Sequence, residues 1–170
     1  MAWRKTNTWR YTGGEAPAAI PYTEAASQTF KAGDPLTLSS GKVAVAVAAN
    51  ATYASGDLES AKVIGFALKD ASGTTDAPIM VAPLRDDVEW LVPVAHGTPA
   101  SAVIAQANVG AGFDLVHWTD GSGVTAWGVT LDDTSVKNVI VTALKDPVGT
   151  QYGEVWVRFS NVADINRTAP

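Results

Sequence analysis

The residues whose types lend themselves to chemistry are few: two histidines, His96 and His117, and one tight group of acids, Asp86, Asp87 and Glu89. An imidazole becomes a general base only when a nucleophile is held against it, and no Gly-x-Ser-x-Gly elbow occurs in the chain. His96 sits beside Gly97 in turn-like sequence and His117 inside an apolar run next to Trp118, so both read as structural. Paired carboxylates can supply the acid and base of glycoside hydrolysis or hold calcium with backbone oxygens. The acids here lack the alternation and glycine of a calcium loop, and read as a solvated hairpin tip. There is no cysteine, which removes thiol nucleophiles, thiolate metal sites and disulfides. The sequence therefore predicts no catalytic residue, no metal and no cofactor, and the protein is expected not to be an enzyme.

Two further groups invite a binding role. Gly110-Ala111-Gly112 suggests a phosphate loop, but it precedes a strand pattern, whereas a dinucleotide fingerprint follows a strand and opens a helix. Trp90, Trp118, Trp127 and Trp156 suggest a sugar-stacking platform, although tryptophans of a small β domain more often serve core or interface. The N-terminal stretch is different in kind. Trp3, Arg4, Lys5, Trp9, Arg10 and Tyr11 come with no acid before Glu15, and Gly13-Gly14, Pro17 and Pro21 then interrupt any regular element. Aromatic rings interleaved with guanidinium groups dominate binding hot spots. Residues 1–29 are accordingly expected to form an extended arm, with those six as contacts to a partner; the alternative is a frayed terminus.

The elements that must carry these residues read as strands. Leu36 and Leu38 alternate around Thr37 before Ser39-Ser40-Gly41, and Val43, Val45 and Val47 alternate with alanines after it, the period of a half-buried hairpin. Val63–Leu68 is a continuous apolar run closed by turn residues from Asp70 to Gly73. Ile79–Leu84 and Glu89–Val94 read as a strand pair, with Pro83 and Pro93 at strand ends. Thr98-Pro99 opens a short helix expected over residues 100–108. Phe113–Trp118, Val124–Leu131 and Val139–Leu144 follow as strands, and Val155, Val157 and Phe159 alternate with Trp156 and Arg158 on a closing one.

These patterns predict a mainly β fold: a small antiparallel barrel or sandwich-like body over residues 30–162, the arm before it, a tail at 163–170, and at most one short helix. At 170 residues this is one domain, or one domain plus an arm. The formal net charge of −5 and scattered basic residues argue against a nucleic-acid partner. No 18-residue apolar run is present to cross a bilayer, and the opening residues lack the apolar stretch of an export signal, so neither membrane nor Sec export is expected.

The pattern Phe30-Lys31-Ala32-Gly33-Asp34, the hairpin through Gly41-Lys42-Val43, and Val63–Ala71 resemble tailed-bacteriophage capsid decoration, or cement, proteins. So do Val109-Gly110-Ala111-Gly112-Phe113-Asp114-Leu115, Val139-Ile140-Val141, and Gly153–Phe159. The resemblance implies a small β-barrel or β-tulip body and a structural virion protein on the outer surface of an icosahedral head, assembled in the host cytoplasm. Its partners would be the major capsid protein and copies of itself, in a homotrimer that ties capsid subunits together after expansion. The alternative is a carbohydrate- or receptor-binding β-module of a phage tail or fibre, using an exposed tryptophan.

Overall fold

The computed structural model describes residues 10–12, 18–46, 63–85, 88–96, 98–119, 125–132 and 137–160. Their strands are β1 (Arg10–Thr12), β2 (Ile20–Thr23), β3 (Pro35–Ser39), β4 (Lys42–Val45), β5 (Gly65–Ala67), β6 (Pro78–Pro83), β7 (Glu89–Pro93), β8 (Gly112–Thr119), β9 (Thr125–Thr130), β10 (Val139–Leu144) and β11 (Glu154–Phe159). The fold is mainly β, and every strand-to-strand ladder is antiparallel, as the alternation predicts.

The single body expected from residue 30 onward is instead two compact units, one holding β2–β6 and the other β1 with β7–β11. Strand order in the N-terminal module is β2-β6-β5-β3-β4. Its sheet curls until Glu24, just past β2, meets Val43 of β4 in a parallel bridge, giving a barrel-like closure. Phe30, Leu36, Val43, Ile64, Ile79 and Val81 fill the interior. Each such side chain contributes about 1.5–3 kcal/mol by leaving water. The C-terminal module runs β7-β11-β10-β8-β9, with β1 added outside β7, and curls until Val94 meets Val129, again in parallel. Val155, Val157 and Phe159 of β11 face inward there and Arg158 outward, the alternation expected of the closing strand.

The two modules are the same design. Numbering strands from the start of each, both run first-fifth-fourth-second-third, with the third returning to the first. The ladders agree residue by residue: matching Val43 with Val129 and following the pairings around each sheet matches Leu36 with Phe113, Val81 with Val157 and Ile20 with Trp90. The circuit returns to Glu24 and Val94, the residues that close each ring. Backbone hydrogen bonds repeat as well. Ala25 N–H donates to Val43 O at 2.8 Å and Ala95 N–H to Val129 O at 2.8 Å; Gly33 N–H donates to Ala67 O at 2.8 Å and Gly110 N–H to Val141 O at 2.8 Å. Gly33 and Gly110 occupy the same turn with φ of 91° and 85°, a conformation open to glycine at no steric cost.

Three expectations are corrected. β6 and β7 are strands, but they do not pair: β6 lies between β2 and β5 and β7 between β1 and β11, because one closes a module and the other opens the next. Residues 100–108 are not a helix but two short 3₁₀ turns, Pro99–Ser101 and Gln106–Asn108. Between them Val103 bridges Gln151 and Ile104 exchanges backbone bonds with Thr150 and Gly149, an extended pairing that suits two β-branched residues. The stretch read as an arm, residues 1–29, also contributes to sheets, since β2 pairs with β6 and Glu24 is fully buried.

Candidate functional site

The arm residues divide between what is described and what is not. Trp3, Arg4, Lys5 and Trp9 lie outside the described residues, while Arg10 and Tyr11 belong to β1, where Arg10 stands opposite Leu91 and Tyr11 opposite Trp90. β1 is therefore a strand laid along β7, a main-chain ladder three residues long that ends with Thr12 opposite Glu89. Asp86 and Asp87 lie outside the described residues as well. Glu89 is half-buried on β7, with Oε1 3.5 Å from Arg158 Nε on the neighbouring strand.

The histidines are held as structural pins. His96 is buried; its Nδ1 accepts the Thr98 backbone N–H at 2.8 Å, which leaves the proton on Nε2 to donate to Asp132 Oδ2 at 2.6 Å. Asp132 also accepts the Thr130 hydroxyl at 2.6 Å, and the Tyr152 hydroxyl donates to His96 O at 3.2 Å. With both ring nitrogens engaged, the imidazole ties the loop after β7 to the end of β9. His117 is buried and stacked on Trp127, ring centroids 4.2 Å apart and planes 11° from parallel. Trp90 and Trp127 are core residues, so neither belongs to a sugar-stacking platform, and Trp156 is half-buried on β11. Gly110 is the third residue of the turn from Asn108 to Ala111, and the glycine pair serves that turn and the start of β8.

Sequence reasoning missed the polar groups that hold the loops of the N-terminal module. Glu24 is buried, and its carboxylate accepts the Ser72 N–H at 3.0 Å, the Ser72 hydroxyl at 3.1 Å and the Gly73 N–H at 3.2 Å. It thus ties the loop before β6 to the strand that opens the module. Asp34 accepts the Lys31 N–H at 2.8 Å within its own turn. Asp70 accepts the Ala32 N–H at 2.9 Å and pairs with Lys31 Nζ at 2.9 Å. These contacts, the backbone N–H first, hold the Asp70 carboxyl below its ordinary range, and the Asp70 hydrogen bond raises the Lys31 ammonium. In the C-terminal module buried Asp114 accepts the Lys137 N–H, and buried Asn138 Oδ1 accepts the Leu115 N–H at 3.3 Å. The signal available was the Gly-Asp step after Lys31-Ala32; nothing local marked Glu24.

Among the described residues no group of three or more His, Asp or Glu side chains is placed to hold a metal ion. No protein-family model, curated protein or solved structure matches this chain.

Proposed function

We propose that this chain is a structural decoration protein of a tailed-bacteriophage head. It binds the outside of the assembled, expanded shell as a homotrimer and cements neighbouring major capsid subunits, without catalysis. The observation that carries the reading is where the resembling motifs fall. Phe30–Asp34 and Val109–Leu115 hold the matched turns at Gly33 and Gly110, and the second of them runs on into β8, so the likeness lies where each module enters its second strand. The use of ionisable side chains agrees with it: Glu24, Asp34, Asp70, Asp114 and the His96–Asp132 pair are each engaged in fastening loops. Loops fastened in this way suit a protein whose task is to stay bound.

The mechanism is linkage. A protein that binds the expanded lattice and not its dissociated subunits lowers the free energy of the lattice by the binding term. Several modest contacts per oligomer become intramolecular once the first is made, and give lasting attachment. The test is co-sedimentation with undecorated, expanded phage heads, for the full chain and for a version lacking residues 1–12. Saturable binding weakened by the truncation is expected, with Trp3, Arg4, Lys5, Trp9, Arg10 and Tyr11 as the arm's contacts. A protein that stays in the supernatant with every head preparation would refute the reading. The tail- or fibre-module alternative would have to use a tryptophan other than Trp90 and Trp127, both of which are buried.

A further inference from the structure

β1 and β2 follow one another in the chain but lie in different sheets: β1 pairs with β7 of the C-terminal module, and β2 with β6 of the N-terminal one. The chain therefore leaves the six-stranded sheet after Thr12, builds five strands elsewhere, and rejoins the same sheet at Glu89, the residue opposite Thr12. The N-terminal module brings its own ends together in the same way, since Ile20, where β2 begins, stands opposite Val81 near the end of β6. The two ladders also share one register. Ten residues on from Arg10 and ten back from its partner Leu91 are Ile20 and Val81, again partners, so the segments that join the ladders, 13–19 and 82–88, are seven residues each. Unrelated linkers have no reason to match in length; two that run between the same pair of ladders do.

We propose that β1 is a strap: by pairing with β7 it gives the N-terminal module a second attachment to the C-terminal module, so that the N-terminal module is tethered at both of its ends. Loop entropy favours the arrangement. Closing a loop costs more the longer the free chain within it, and the stretch between Thr12 and Glu89 is long. Once the N-terminal module has folded, the Ile20–Val81 pairing bypasses most of that stretch, and the free path shrinks to the two seven-residue segments. With a three-halves power of length, this raises the local concentration of β1 at β7 about tenfold over that with an unfolded module. A ladder three residues long is marginal by itself, and here the folding of a module to which it does not belong helps to hold it. A pull on residues 1–9 would then be taken by β7 and would bypass the N-terminal module; that consequence, unlike the strap itself, rests on the proposed function.

Because the chain contains no cysteine, one disulfide can report the strap without background. Opposed residues of an antiparallel ladder lie within the span of a disulfide. The Thr12→Cys/Glu89→Cys variant, titrated with glutathione at low protein concentration, should form an intrachain bond. Thr12→Cys/Val148→Cys, with its second site on an exposed turn, should form one far less readily. Added length then tests the short path. Fourteen flexible residues inserted between Gly13 and Gly14 double it and should lower the effective concentration of the Thr12→Cys/Glu89→Cys pair about threefold. The same insert within the module, between Ser40 and Gly41 or in a second variant between Thr74 and Thr75, should leave that concentration unchanged. Equal effects of the inserts at Gly13-Gly14 and within the module, or an opposed pair that closes no better than the Val148 one, would overturn the proposal. Shell binding enters none of these readouts, so the strap and the decoration reading fail separately.

Discussion

Glu24 shows how much one side chain can hold. It sits fully buried at the closing point of the N-terminal module, and its carboxylate gathers two backbone N–H groups and a hydroxyl from Ser72 and Gly73. Glu24→Ala would take the shared acceptor from those donors and leave a void at a buried position, and should cost about 1–3 kcal/mol in urea unfolding; an unchanged midpoint would show that the loop is fastened some other way. Asp70 gives a pH signature. Its carboxyl is depressed from an ordinary value of 3.8, so the stability it contributes is present above that value and lost as pH falls through the lower folded one. Lys31 is raised from 10.5, and its share persists through neutral pH and disappears only as pH climbs past the folded value. Asp70→Asn should therefore destabilise the protein at neutral pH, and the gap from the parent should shrink below about pH 4. Unfolding curves at pH 7 and pH 2.5 check it, and a gap independent of pH would contradict the assignment. The turn at Asp70–Gly73 was legible from its residue types. Glu24 was not, because its partners lie 48 and 49 residues away and no local pattern announces a long-range acceptor.

At the scale of elements, alternation located the strands well because the period of two follows from the pleat alone. Ser40 and Gly41 form the hairpin turn between β3 and β4 with φ of 51° and 77°, the paired positive angles that a two-residue connection demands. Partner choice was less legible. β6 and β7 follow one another as hairpin strands would, yet each belongs to a different ring, and sequence adjacency cannot report where a ring closes. The closing contacts themselves are single parallel bridges, which leave no periodic trace. Gly128 marks one of them. A Cβ built there would come within 2.5 Å of Ala95 Cβ and 2.8 Å of Pro93 O, so β9 reaches β7 only because the side chain is absent. Gly128→Ala should force the seam apart at a cost of about 1–3 kcal/mol. Hydrogen exchange can watch this directly: the Ala95 amide, bonded to Val129 O, should lose protection far more than the Ala67 amide of the other module, and equal protection in variant and parent would count against a tight seam.

At the scale of the whole chain the main fact is repetition, and it was invisible in the sequence. Between matched positions, identity survives at Ala25/Ala95, Gly33/Gly110, Leu38/Leu115, Val43/Val129 and Val81/Val157, while most other pairs share only the tendency to be apolar inside. A barrel-like ring constrains inward residues to be apolar and turn residues to permit their φ, and leaves the rest free to diverge. The topology and the backbone bonds keep the correspondence that the side chains have lost. If each ring is complete, the N-terminal one should not need the other. It has its own closing bridge, its own buried cluster and its own loop fastening through Glu24 and Asp70. Residues 18–85 expressed alone should therefore fold, with dispersed amide resonances and a cooperative urea transition worth about 3–10 kcal/mol, the range for a chain of that length. Glu24→Ala in that fragment should remove a large part of so small a total, which makes the fragment a more sensitive host for the test than the full chain. A collapsed spectrum without dispersion would mean that the repeated topology does not mark an independent folding unit. A folded fragment would make the ring the unit of this protein, used twice, with an added strand on the second.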